Sequence, residues 1–191
     1  MYSESHMKGR GMDELDGQYA EVEGRGAVTF IRSYPVSAEQ AWAAVSTPEG
    51  LDGWFPSAVA LDHEAETVTF SGDPNAGAEA PASTGRIVAW EPPRRWAFEW
   101  GGDLMEFLVE GSDTEVELTL RNWLADNSSA ARNAAGWHVC LGELAKKLGG
   151  VVPAGPHAAP GPDGPLDWGA LYEGYVEAGL PSGAPIPGRD A

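Results

Sequence analysis

A single cysteine, Cys140, occurs in the chain, so an intramolecular disulfide is excluded. No CxxC pair or cluster of metal-ligating side chains accompanies it, and neither a metal nor another cofactor is expected. Basic residues are scarce: 12 Lys and Arg against 29 Asp and Glu leave a formal charge of -17. That balance repels a phosphate backbone, and no basic stripe interleaved with aromatics offsets it, so nucleic acid is not an expected partner. Long apolar runs are absent too. No stretch approaches membrane-spanning length, and Met1 to Gly17 lacks the apolar segment of a secretory signal, so the expectation is a cytoplasmic protein without membrane insertion. Neither a nucleophile elbow nor a nucleotide-binding loop is found. The acidity itself reports solubility more than recognition.

The apolar fraction of 42% in 191 residues suffices for one real core. We expect a flexible N-terminal segment over 1–23, whose first eleven residues read as unstructured and partly vector-derived. A domain over 24–150 follows, then a Pro/Gly-rich linker or strap over 151–165, and a C-terminal helix and tail over 166–191 that packs back on the domain. Trp168, Leu171, Tyr172 and Tyr175 are the docking candidates of that last helix, and the chain beyond Pro181 reads as loose.

Inside the domain, Val28 to Tyr34 is β-rich, and Ser37-Ala38-Glu39-Gln40 forms a capping box that starts a helix to Val45. A second short helix follows from Thr47-Pro48 to about Trp54. Six short alternating runs come next: Val59–Asp62, Thr67–Phe70, Gly85–Trp90, Arg95–Trp100, Leu104–Glu110 and Glu115–Trp123. Trp96, Phe98 and Trp100 share one face, as do Met105, Phe107 and Val109, and Val116, Leu118 and Leu120, while glutamates take the other face. Such a one-sided antiparallel sheet needs a cover. Ala130 to Leu148 supplies it, with Ala130, Ala134, Trp137, Leu141, Leu144 and Leu148 on one stripe and Gly149-Gly150 ending the helix. The fold class is therefore α+β: a curved antiparallel sheet of about seven strands wrapped around a long C-terminal helix, with two short helices after the first strand.

Several stretches resemble the AHSA1-like family (activator of Hsp90 ATPase homologue) of the START/Bet v 1-like SRPBCC superfamily. They are Val36-Ser37-Ala38-Glu39-Gln40-Ala41-Trp42, Pro48-Glu49-Gly50-Leu51 running into Gly53-Trp54-Phe55-Pro56, Glu91-Pro92-Pro93-Arg94-Arg95, and Ala134-Ala135-Gly136-Trp137-His138-Val139-Cys140-Leu141. Their order and spacing cover about residues 24 to 148. The resemblance implies a helix-grip fold with a cavity, not a reaction. It also brings an Hsp90-type chaperone into view as a partner. Similar members often carry an acidic residue or His in the turn before "GW", where this chain has Asn133.

The function expected is the binding of a small hydrophobic or amphipathic ligand between sheet and helix. The candidate ligand-binding residues are Trp54, Phe55, Phe98, Trp100, Met105, Phe107, Asn133, Trp137 and Leu141. Trp54 and Phe55 are assigned to the cavity mouth, and each aromatic taken singly reads equally as core. A cofactor-free enzyme of the polyketide cyclase or aromatase type is the alternative, with His138, a quarter-turn off the stripe, or a buried carboxylate as acid/base; a boundary histidine is the bland reading of His138. A chaperone-associated regulatory module and a homodimer stay open. Arg86 and Arg121 are expected to pair with strand glutamates, Cys140 to act as a small apolar residue, and Ser71 to Ala82 to form a flap over the pocket or a hairpin tip.

Overall fold

The computed structural model describes residues 14–72 and 81–186. The elements in chain order are β1 (Gln18–Val22), β2 (Arg25–Tyr34), α1 (Ala38–Ser46), α2 (Pro48–Leu51), β3 (Ala58–Asp62), β4 (Thr67–Ser71), β5 (Ser83–Glu91), β6 (Arg95–Trp100), β7 (Asp103–Gly111), β8 (Val116–Trp123), α3 (Ala130–Leu148) and α4 (Trp168–Glu177). The strands form one eight-stranded sheet in the order β1-β2-β8-β7-β6-β5-β4-β3. Every pairing is antiparallel. The run from β3 to β8 is a meander, and β2 joins it at β8.

The alternation read from sequence sets the register. Trp96, Phe98, Met105, Phe107, Val109, Val116, Leu118 and Leu120 are buried on one face. On the other, Glu106 receives Arg95 Nε at 2.8 Å and Arg121 Nη1 at 3.1 Å, and Glu99 receives Arg86 Nη2 at 3.0 Å. The arginine pairs thus fall where alternation placed them. α1 begins at the expected capping box: Ser37 Oγ accepts the Gln40 N–H and Gln40 Oε1 accepts the Ser37 N–H, both at 3.1 Å.

The sheet has eight strands rather than about seven, because Gln18–Val22, assigned to the flexible lead segment, pairs with β2 from Gln18↔Thr29 to Val22↔Arg25. Its residues are mostly exposed, so no apolar alternation announces it. A two-residue turn sets it up, with Glu23 (φ 53°) and Gly24 (φ 82°) both left-handed, the geometry that matches the twist of a hairpin. The second helix is also shorter than expected, ending at Leu51.

α3 is buried on more than its sheet-facing stripe. Ala131, Ala135, His138, Gly142 and Glu143 are buried as well, because α4 and the strap of residues 150–166 cover its outer side. A Cβ at Gly142 would lie 3.6 Å from Leu166, so the missing side chain leaves room for the strap. Glu143, 1% exposed, pairs with Lys146 at 2.6 Å and accepts the Gly155 N–H at 3.0 Å. Lys146 Nζ also donates to Gly164 O at 2.6 Å. Residues 73–80 of the expected flap and the first eleven residues lie outside the described residues.

Candidate ligand-binding site

The space between α3 and the middle of the sheet is filled. Trp54, Trp96, Phe98 and Phe107 are fully buried and in mutual ring contact, for example Trp96–Phe98 at 4.4 Å and Trp54–Phe107 at 6.1 Å between centroids. Each such side chain contributes on the order of 2–3 kcal/mol by leaving water. The open space lies beside this core, on one flank of α3. It is a cavity of about 440 Å³ whose walls include Trp100, Met105, Asn122, Asn133, Gly136, Trp137, Cys140 and Trp168. Pro56, Pro156, His157 and Ile186 complete it from the loops. Residues 133, 136 and 140 sit about a quarter-turn around α3 from the sheet-facing stripe.

The cavity has a polar floor set by a tight turn. Gly101 (φ 60°) and Gly102 (φ 93°) make a two-residue connection that pairs Trp100 with Asp103 and brings the Asp103 carboxylate to the end of β7. Asp103 Oδ2 accepts from Asn122 Nδ2 at 2.8 Å and Asn133 Nδ2 at 2.9 Å, and Oδ1 accepts the Ala125 N–H at 2.8 Å. Asn122 Oδ1 in turn accepts from Asn133 Nδ2 at 2.9 Å and from the Trp137 indole N–H at 3.1 Å. The indole of Trp137 and the start of α3 are thereby fixed to β7 and β8 through one connected network, the arrangement in which buried polar groups are stable.

Of the nine candidate ligand-binding residues, Trp100, Met105, Asn133 and Trp137 line the cavity. Trp54, Phe55, Phe98, Phe107 and Leu141 are core side chains and do not. Trp54 and Phe55 are not at a mouth: the Trp54 indole N–H donates to Ala44 O and Gly50 O at 3.0 and 2.9 Å, holding it beneath α1 and α2. Pro56 takes the place at the rim. Asn133 donates to the sheet rather than into the cavity, with both Nδ2 hydrogens engaged. Asp103 and Asn122 were not among the candidates. Both are polar residues at inward-facing positions, Asp103 in step with Met105 and Phe107, Asn122 in step with Leu118 and Leu120, and that mismatch is the signal that marks them.

His138 is neither at an edge nor in the cavity. It lies on the opposite flank of α3, 0% exposed, with Nδ1 2.8 Å from Tyr175 Oη and 3.7 Å from Asp16 Oδ1. Asp16 holds Arg32 in a two-point pair at 2.7 and 2.9 Å, and the Gly17 N–H donates to Tyr175 Oη at 3.0 Å. Burial works against the Arg32 charge, but the bonds and charge of Asp16 prevail and raise its pKa. Burial pushes the Tyr175 hydroxyl up to about 12. This cluster joins the N-terminal segment, β2, α3 and α4. Among the described residues no group of three or more His, Cys, Asp and Glu is placed to hold a metal ion, and no helix is long and apolar enough to cross a membrane.

A curved antiparallel sheet gripping a long C-terminal helix, with two short helices inserted after β2, is a helix-grip fold. Residues 35–149 match the family described as Activator of Hsp90 ATPase homolog 1-like protein, and the chain belongs to that family. No curated protein matches the chain. Among solved structures, EF2215 of Enterococcus faecalis, a conserved protein of unknown function, is similar with a TM-score of 0.65 at 17% identity, covering 86% of this chain and 90% of its own. CalU16 of Micromonospora echinospora in its solution structure gives 0.65 at 18% identity, over 91% and 95%. The protein encoded by BPP1335 of Bordetella parapertussis gives 0.60 at 24%, over 87% and 92%. These likenesses concern the fold alone.

Proposed function

We propose that the protein binds a small amphipathic molecule in the cavity on the flank of α3. One observation carries the reading: beside a core packed with aromatics, a space of about 440 Å³ stays open, walled by Trp100, Met105, Trp137 and Trp168 above a hydrogen-bonded polar floor. Its volume falls in the range of small-molecule sites, and an apolar wall with a few placed polar groups is their usual composition. Membership of a helix-grip family agrees with it. Of the two acid/base candidates for a cofactor-free enzyme, His138 faces the other flank, and the carboxylate at the cavity, Asp103, has its oxygens engaged by Asn122, Asn133 and the Ala125 N–H.

The neutral probe N-phenyl-1-naphthylamine tests the reading by its fluorescence on titration with protein. Gly136 lies in the cavity wall, and a Cβ there would meet only Trp168 Nε1, at 3.9 Å. Gly136→Leu therefore fills the cavity without a backbone clash, and removing a glycine from a helix interior favours the helix. We expect saturable binding to the unaltered protein and at least tenfold weaker binding to Gly136→Leu at a melting temperature no lower than the parent's. No saturable binding, or equal binding by both proteins, sinks the reading.

A further inference from the structure

We propose that the molecule taken by this cavity carries an anionic group, a carboxylate or sulfonate, at the end that meets Arg132. The inference rests on the ligand-binding reading above and assigns its chemistry. Arg132, half-buried in the cavity wall, donates Nε to Asn133 Oδ1 at 3.2 Å and Nη1 to Pro185 O at 2.6 Å. Both acceptors are neutral, and no carboxylate among the described residues lies within ion-pair distance of it. Arg32, Arg86, Arg95 and Arg121 each have such a partner; Arg25 and Arg94 have none among the described residues either, but neither lines this cavity. Asp126 feels the Arg132 charge, but it is exposed and its oxygens hold Ser128. In a chain with 29 acidic residues against 12 basic ones, a guanidinium in the cavity wall with no carboxylate partner among the described residues, and with Nη2 engaged by none of them, can receive an anion.

The remaining polar groups point the same way. The side-chain acceptors of the floor are occupied: Asp103 by three N–H donors, Asn122 Oδ1 by two, and Asn133 Oδ1 by Arg132 itself. The Asp103 charge, which opposes an anion, belongs to the same lining, and its oxygens are engaged by those three donors. The indole N–H groups of Trp100 and Trp168 donate to nothing among the described residues, and Trp168 Nε1 lies over Gly136 in the cavity wall. His157 Nε2, at the rim, donates to Pro56 O at 2.8 Å. The cavity thus offers a cation and unoccupied donors.

Two probes with the same aromatic body separate the two claims: neutral N-phenyl-1-naphthylamine, and 8-anilinonaphthalene-1-sulfonate, which adds one anion. With the full chain we expect mutual competition, and the sulfonate bound about tenfold more tightly, the worth of one charge-assisted hydrogen bond, despite the protein's negative charge. In Arg132→Gln the preference disappears while the neutral probe keeps its affinity within about twofold, and in Arg132→Lys part of the preference returns. If the neutral probe binds but the sulfonate binds no better, or if the preference survives in Arg132→Gln, the anion site is refuted and the cavity stands. If Arg132→Gln loses both probes equally, Arg132 shapes the wall rather than holding an anion, and the inference is likewise refuted. If neither probe binds the unaltered protein, the ligand-binding reading falls and this inference with it.

Discussion

Asn122 is 1% exposed on a strand whose other inward residues are Val116, Leu118 and Leu120. A buried amide survives among such neighbours only when its hydrogen bonds are made, and here each end of the group is engaged. Asn122→Ala would leave the Trp137 indole N–H and one Asn133 hydrogen without an acceptor and Asp103 short of a donor. We expect a loss of about 2–3 kcal/mol, read as a lower urea midpoint at an unchanged m-value. A variant within about 0.5 kcal/mol of the parent would show that water replaces the amide and that the floor is not closed. At this scale the site was half legible in the sequence. Strand parity turns Trp100 and Met105 inward, helical periodicity does the same for Trp137, and strand parity also singles out Asn122 and Asp103 once polar residues on the dry face are sought. What parity cannot tell is which of several inward aromatics meet each other and which face a void, since Phe98, Phe107 and Trp100 all satisfy the same pattern. Packing in three dimensions decides that.

At the scale of elements, α3 does more than cover the sheet. Its apolar stripe was legible because 3.6-residue periodicity is local, and its C-terminal end followed from Gly149-Gly150. Its outer burial was not legible, because that depends on where the strap and α4 return. Strand β1 escaped for the complementary reason: an edge strand held by backbone pairing and a left-handed Glu23-Gly24 turn needs no apolar alternation. α4, with Leu171 and Tyr175 buried, was legible by its periodicity. The strap itself has no regular structure, and its attachment rests on side chains of α3, chiefly Glu143 and Lys146. Glu143→Gln would weaken the pairing with Lys146 and loosen the hold on Gly155. Because the affected contacts bind a surface segment, the cost should be local. Hydrogen exchange should speed up about tenfold for amides of residues 151–165, with those of β7 and β8 unchanged. Uniform acceleration across the sheet would mean that the strap folds and unfolds with the core.

For the molecule as a whole, the cluster of Asp16, Arg32, His138 and Tyr175 fastens four separate parts of the chain together, so a change in its protonation acts on global stability. Burial raises the pKa of Tyr175 to about 12, and burial likewise raises that of Tyr34 to about 12, against the smaller opposing pull of the Arg32 guanidinium. Both hydroxyls are deep: Tyr175 is 0% and Tyr34 6% exposed, and among the described residues the Tyr34 hydroxyl has no partner within hydrogen-bond distance, with Arg32 acting on it as a nearby charge. An unfolded tyrosine ionises near pH 10. Between that value and about 12 the native state holds protons that the unfolded chain has released, so stability falls as pH rises. The contribution is fully present below pH 10 and is lost as pH climbs through about 12, roughly 2–3 kcal/mol for each tyrosine. Denaturation midpoints measured from pH 8 to pH 12 should therefore be level at first and then drop. Tyr34→Phe removes one of the two groups without breaking a hydrogen bond and should roughly halve the drop, whereas Tyr175→Phe also releases the Gly17 N–H and His138 Nδ1 and should lower stability already at pH 8. Equal alkaline slopes for the parent and Tyr34→Phe would show that the Tyr34 phenolate forms in the folded protein without resistance.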